Sequence, residues 1–182
     1  MPVLDVLYEE HHVTQRALNV IKAASFQLLR GNDEAIGPML QAADFLLRFS
    51  VECHQGKEEE ILFPMLHSRG IPADIIEAMH VDHRAGEDYL RDLMGTLIRY
   101  EGDQNKLVST VMWKASGYLM FLHHHLEIEE NILFSTARTL FAKKEQEILA
   151  ELFALWETER EDENLHTECN SIIEGWEEGL RA

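Results

Sequence analysis

The chain carries one short pattern twice. Glu10-His11 precedes His54-x-x-x-Glu58, and Asp82-His83 precedes His125-x-x-x-Glu129, with 43 residues from His11 to His54 and 42 from His83 to His125. The text after each pair agrees as well: Glu58-Glu59-Glu60-Ile61-Leu62-Phe63 lines up with Glu129-Glu130-Asn131-Ile132-Leu133-Phe134. Register held over such a span restricts the fold to one whose two halves place equivalent residues at equivalent depths.

The apolar spacing says what those halves are made of. Leu4, Leu7, His11, Leu18, Ile21 and Leu28 recur at threes and fours, the period of a helix with one buried stripe, and strand-like alternation is absent. Breakers fall at Gly31-Asn32-Asp33, Arg69-Gly70-Ile71-Pro72, Glu101-Gly102-Asp103 and, more weakly, near Ala142-Lys143-Lys144. Pro38 suits the opening of the second helix, and Pro64 is expected to kink or loosen its last turns. At 182 residues and 46% hydrophobic content the chain has material for one domain. Long amphipathic segments with short connections predict an all-α fold: an up-down-up-down four-helix bundle over residues 1–142, with an appended C-terminal fifth helix, residues 143–182, packed on it.

Polar residues interrupt these stripes at matching places. His54 and Glu58 continue the series Leu47, Val51, Ile61 and Met65, and His125 and Glu129 continue Tyr118, Leu122 and Ile132. Residues four apart on a helix are neighbours on one face, so each pair can serve one ion or two adjacent ones. Four helices then offer His11; His54 and Glu58; His83; His125 and Glu129 to a single core layer. Two carboxylates buried near each other must share protons or find cations, and no Lys or Arg stands on these stripes. A pair of divalent ions with a solvent hydroxide resolves the conflict. Imidazole with carboxylate suits iron, with manganese or zinc as competitors, and no cysteine cluster points to an iron–sulfur centre.

At these residues the chain resembles the hemerythrin-like (HHE cation-binding domain) family, which carries a first-helix His and a His-x-x-x-Glu in each half of a four-helix bundle. The phrase Cys53-His54-Gln55-Gly56-Lys57-Glu58-Glu59-Glu60-Ile61-Leu62-Phe63-Pro64 is similar to the family's second-helix signature. The resemblance implies two iron ions in an oxo- or hydroxo-bridged centre, with His11 and His54 on one, His83 and His125 on the other, and Glu58 and Glu129 bridging. Oxygen-carrying members use five histidines, with a pair four apart on the third helix and an aspartate bridge. Here the third helix has His80 and His83, three apart, and the bridge is Glu129. His80 is therefore either a fifth ligand or a neighbour of the site, and Glu87, one turn past His83, either ligates or orients a ligand. The open position left on one iron is where O₂, NO or peroxide would bind.

The resemblance supports a protein that binds or senses O₂, NO or iron. The alternative is a di-iron enzyme that reduces NO, peroxide or O₂, or repairs iron–sulfur centres. Binding is favoured, because no general acid, second pocket or cofactor motif is visible. A net charge of −17 without a basic stripe argues against nucleic acid. No apolar run of membrane-spanning length and no signal segment are present, so a cytoplasmic protein is expected, acting alone or as a homodimer. Two cysteines are too few for a disulfide scaffold. Off the stripes, His12, His123 and His124 are expected at the surface or beside the ligands. Cys53 is either a thiol near the centre or a small packing residue, His166 is a further histidine with a candidate role near the site, and Trp113, Trp156 and Trp176 are expected to pack helices.

Overall fold

The structure is a computed structural model that describes the backbone of residues 2–100, 104–159 and 163–179, and the side chains of 3–100, 107–159 and 169–179. Helix α1 is Pro2–Leu29. Helix α2 runs over residues 36–68 and is not uniform: α-helical Ile36–Leu46 and Phe63–Ser68 flank π-helical turns at Leu47–Gln55 and Glu58–Leu62. Helix α3 is Ala73–Tyr100. Helix α4 covers residues 104–140, with a π-helical stretch, Glu129–Phe134, between Gln104–Ile128 and Ser135–Leu140. Helices α5 (Lys143–Glu159) and α6 (Glu163–Gly179) follow. No strand occurs among the described residues.

The sequence punctuation acts as its chemistry requires. α1 and α2 end alike, with glycine in the left-handed region (Gly31 φ 87°, Gly70 φ 95°) and the next amide reaching back to a carbonyl of the last turn: Asn32 to Gln27 and Ile71 to Leu66. Glycine carries no steric penalty there. Pro38 sits in the first turn of α2. Pro64 removes an amide that the last turns of α2 would otherwise use, and π-helical turns end just before it. The break at Glu101-Gly102-Asp103 lies outside the described residues.

α1 packs on α2 and α4, and α3 packs on α4 and α2. Side-chain pairs run in opposite chain order across each contact. Between α1 and α4, Asp5 meets Arg138 at 2.6 Å, His11 meets Glu130 at 2.9 Å and Gln15 meets His123 at 3.2 Å. The C-terminal segment is helical on both sides of residues 160–162, which lie outside the described residues. Leu149, Phe153 and Trp156 of α5 bury against Leu4, Leu7 and Phe63. Cys169 and Ile173 of α6 bury in a second apolar cluster with Val13 and Phe49, and Trp176 sets its ring edge-on to Phe45 at 5.8 Å. Trp113 is 73% exposed and packs no helix, contrary to the expectation from its size. No helix among the described residues is long and apolar enough to cross a membrane.

Candidate metal centre

The two apolar clusters are separated by a polar layer. One holds Val13, Leu18, Phe49, Leu90 and Leu122, the other Leu4, Leu7, Phe63, Leu133 and Phe134. His11, His54, Glu58, His83, His125 and Glu129 lie at the boundary, each no more than 3% exposed. The six residues singled out from the sequence are thus brought together. Donor atoms of His11, His54, Glu58 and Glu129 all lie within 4.8 Å of one another, as do those of His83, His125 and Glu129.

The four imidazoles share one orientation. Nε2 of His11 is 3.2 Å from Glu129, Nε2 of His54 is 3.6 Å from Glu58, and Nε2 of His125 is 2.9 Å from Glu129. His83 Nε2 touches both carboxylates, at 3.5 Å to Glu58 and 3.2 Å to Glu129. The Nδ1 atoms point outward to other acids. His11 Nδ1 donates to Glu130 at 2.9 Å, His54 Nδ1 to Glu10 at 2.8 Å and His83 Nδ1 to Glu59 at 2.6 Å, while His125 Nδ1 lies 4.0 Å from Asp82. A carboxylate only accepts, so each of the first three rings carries a proton on Nδ1 and turns Nε2 inward. The π-helical turns fall at His54, Glu58 and Glu129, and such wide turns gather at functional sites.

The sequence reading gave no role to the four acids behind the histidines, although two of them open the repeated pattern. Each adjoins a site residue in the chain: Glu10 before His11, Asp82 before His83, Glu59 after Glu58 and Glu130 after Glu129. The pattern crosses over, since the acid beside one residue supports the histidine of another helix. Phe63 and Phe134, equivalent in the repeat, cover His83 and His11 at 5.6 and 5.1 Å between ring centroids.

Lys57 was missed too. No cation was expected near the stripes, yet Lys57 is fully buried, ion-paired with Glu10 and, at 2.6 Å, with Glu157 of α5. It is the one lysine or arginine between Glu52 and Ile61, a signal available in the text. Two further expectations lie apart from the cluster. His80 is 25% exposed, with Nδ1 3.3 Å from Glu59, and Glu87 is 34% exposed and paired with Arg91 at 2.6 Å. Glu87 lines a cleft of about 330 Å³ between α2 and α3, together with Gln55, Gly56, Glu59, His83 and Arg84. His12, His123 and His124 are exposed, Cys53 is buried in the apolar cluster around Leu62, and the His166 side chain lies outside the described residues.

Electrostatically the layer is short of positive charge. Burial, reinforced by repulsion from Glu129, raises the Glu58 carboxyl well above its ordinary value. Burial would raise Glu129 likewise, but the charge of His125 and hydrogen bonds from His11, His125 and His83 hold it well below. Burial lowers His54 to about 4 despite Glu10. His11 and His83 resist their burial and stay above the ordinary value, because Glu129 accepts from both, with Glu130 and Glu59 behind them.

A cation fits this donor set. Both Glu58 oxygens and His125 Nδ1 are buried without a hydrogen-bond partner. His11 Nε2 and His54 Nε2 face each other at 3.0 Å, close enough to share one proton or to share one ion in its place. Two nitrogens at about 2.1 Å from one ion and roughly at right angles would stand about that far apart. Such a layer, in antiparallel helices, defines a cation-binding helical protein with mixed imidazole and carboxylate donors. The chain belongs to the hemerythrin HHE cation binding domain family, whose sequence model matches residues 3–137. A comparison with curated proteins finds no match.

Proposed function

We propose that the chain is a non-haem di-iron protein that binds or senses a small ligand, O₂, NO or peroxide, or iron itself. The supporting observation is the set of inward-facing Nε2 atoms around two buried carboxylates, of which Glu58 has both oxygens without a hydrogen-bond partner. In this reading His11 and His54 hold one ion, His83 and His125 the other, and Glu58 and Glu129 lie between them. Residues 1–142 form an up-down-up-down four-helix bundle around the centre, and residues 143–182 are an appended unit.

When bound, the iron pair supplies one-electron chemistry toward small oxygen and nitrogen species. The rest belongs to the chain. Glu10, Glu59 and Glu130 hold the Nδ1 protons of the histidines before any ion arrives, so each Nε2 is already aimed. The apolar clusters on either side keep bulk water from the donors. The cleft that His83 lines admits a small ligand on the α2/α3 side, with Gln55 and Arg84 on its walls. His80 bears on Glu59 and steadies the support of His83. This cleft favours ligand binding at the His83 side over a purely structural ion.

Metal analysis by mass spectrometry of protein expressed with iron should find about two ions per chain. Mössbauer spectra should show coupling that disappears in the Glu58→Ala, Glu129→Ala double variant. Fewer than one ion per chain, or coupling that survives the double substitution, refutes the reading. Air exposure of the reduced protein then separates binding, which gives a reversible charge-transfer band, from turnover, which consumes reductant repeatedly.

A further inference from the structure

The two halves of the repeat differ in the residue that follows the second histidine by three. His54 corresponds to His125, and counting three onward places Lys57 opposite Ile128. The acids behind these histidines differ accordingly. Glu10 is 3% exposed, donates nothing and accepts from both His54 Nδ1 and Lys57 Nζ, whereas Asp82 is 38% exposed and stands 4.0 Å from His125. Lys57 in turn donates to Glu157 at 2.6 Å. The line from Glu157 through Lys57 and Glu10 to His54 is continuous, and it begins on α5, beyond the residues matched to the family.

α5 is set tightly at this point. The Trp156 indole N–H donates to Glu60 at 3.1 Å, and the ring lies so close to Gly56 that a Cβ there would stand 2.5 Å from Cζ2. Gly56 and Lys57 lie between the two π-helical stretches of α2, Gly56 two residues after His54. The glycine lets the indole approach, and the indole places Glu157 over Lys57. A carboxylate held by a buried ammonium is fixed in position and shares its negative charge, so its hold on the imidazole differs from that of a solvent-facing aspartate.

We propose that Glu157 of α5 is a positioning residue for the metal centre. Through Lys57 and Glu10 it orients His54, and it makes the His11/His54 position unlike the His83/His125 position. The inference rests on the proposed dinuclear site, and its direction follows from the mismatch: only the first half of the repeat has a lysine to carry the link.

The test uses the full chain and cobalt(II), whose visible bands report each position as it fills. Wild type is expected to take up two ions. In Glu157→Ala one step should weaken about tenfold while the other stays put. Glu157→Gln, whose amide oxygen still accepts from Lys57, should restore most of the loss. Glu177→Ala removes an equally half-exposed tie between the C-terminal segment and α1, the pair with Arg16 at 3.2 Å, and should titrate as wild type. If Glu157→Ala titrates as wild type, or weakens both steps alike, the relay is wrong. If wild type takes up no cobalt, the metal reading falls separately, and the relay is read in the metal-free chain. There the nitrogen shift of His54 Nδ1, by long-range ¹⁵N NMR, should move in Glu157→Ala while that of His83 does not. An unmoved His54 overturns it.

Discussion

Replacing Glu58 by methionine should make the metal-free protein more stable and remove the gain that metal confers. Glu58 is fully buried, and neither of its oxygens has a hydrogen-bond partner. An unsatisfied buried polar group costs about 1–3 kcal/mol, and methionine fills nearly the same volume without polar atoms, so Glu58→Met should gain roughly 2 kcal/mol. For a domain of this size that is a rise of about 4–8 °C in Tm. Iron at roughly a hundred times its Kd should stabilise wild type by about 2.7 kcal/mol and leave the variant unmoved. The assay is calorimetry on chelator-treated protein with and without anaerobic ferrous iron. The order of the two proteins should reverse: variant above wild type without metal, the gap closed or inverted with it. A metal-free variant that melts at or below wild type would show that Glu58 is satisfied by the protein alone. Equal metal stabilisation of both would show that Glu58 is no ligand.

His80→Ala should leave the metal content unchanged, whereas His83→Ala should lose at least one ion per chain; mass spectrometry on the two purified variants decides this, and loss in both would return His80 to the ligand set. Gly56→Ala should destabilise by roughly 1–3 kcal/mol despite alanine's better helix propensity, because the new methyl displaces the Trp156 ring, and urea melts followed by tryptophan emission should show a lower midpoint with a shifted native baseline. Burial works against ionised Glu10, yet the hydrogen bond from His54 and the charge of Lys57 bring it from 4.5 down to about 2. A depressed carboxyl adds stability that is complete above its unfolded value and vanishes as pH falls through the folded one. In the metal-free chain Glu10 should therefore account for about 3 kcal/mol lost between pH 4.5 and 2, and Glu10→Gln should flatten the stability curve in that window. An unchanged slope in that range would mean that Glu10 is not held as an anion.

The repeat and the helical period were enough to find six buried residues, because a ligand must occupy a core position and so must interrupt an apolar stripe. What the period could not show is the outer ring of acids. Glu10, Glu59, Glu130 and Asp82 each lie one residue off a stripe, where an acid normally reads as solvated surface, and only the packing of a neighbouring helix turns it toward a histidine. Lys57 was hidden for a related reason. A lysine between acids in a signature phrase looks exposed until α5 covers it with Glu157 and Trp156. His80 and Glu87 differ for another reason: a spacing of three or four put them on the His83 side of α3 without saying how deep that side lies. His80 is 25% exposed, and Glu87, 34% exposed, faces the cleft that it lines.

The layer is expensive to fold, and its position in the molecule shows how that cost is contained. Four histidines and two glutamates sit between two apolar clusters, one reinforced by α6 and the other by α5. The helices that flank the layer can therefore be driven together by apolar burial alone, and the unsatisfied donors are carried into place by packing to which they contribute nothing. An α-helix held to its ordinary period would then have to choose between packing and aiming its polar side chains. The π-helical turns at Leu47–Gln55, Glu58–Leu62 and Glu129–Phe134 relax that constraint where it arises, since a wider turn lets His54, Glu58 and Glu129 face inward while Phe49, Phe63 and Phe134 keep their places in the apolar clusters. The prepared donors precede the ion, so the free energy of metal binding is not consumed in building the site. It remains available to hold the layer closed, which is why removing a donor and removing the metal should have opposite effects on stability.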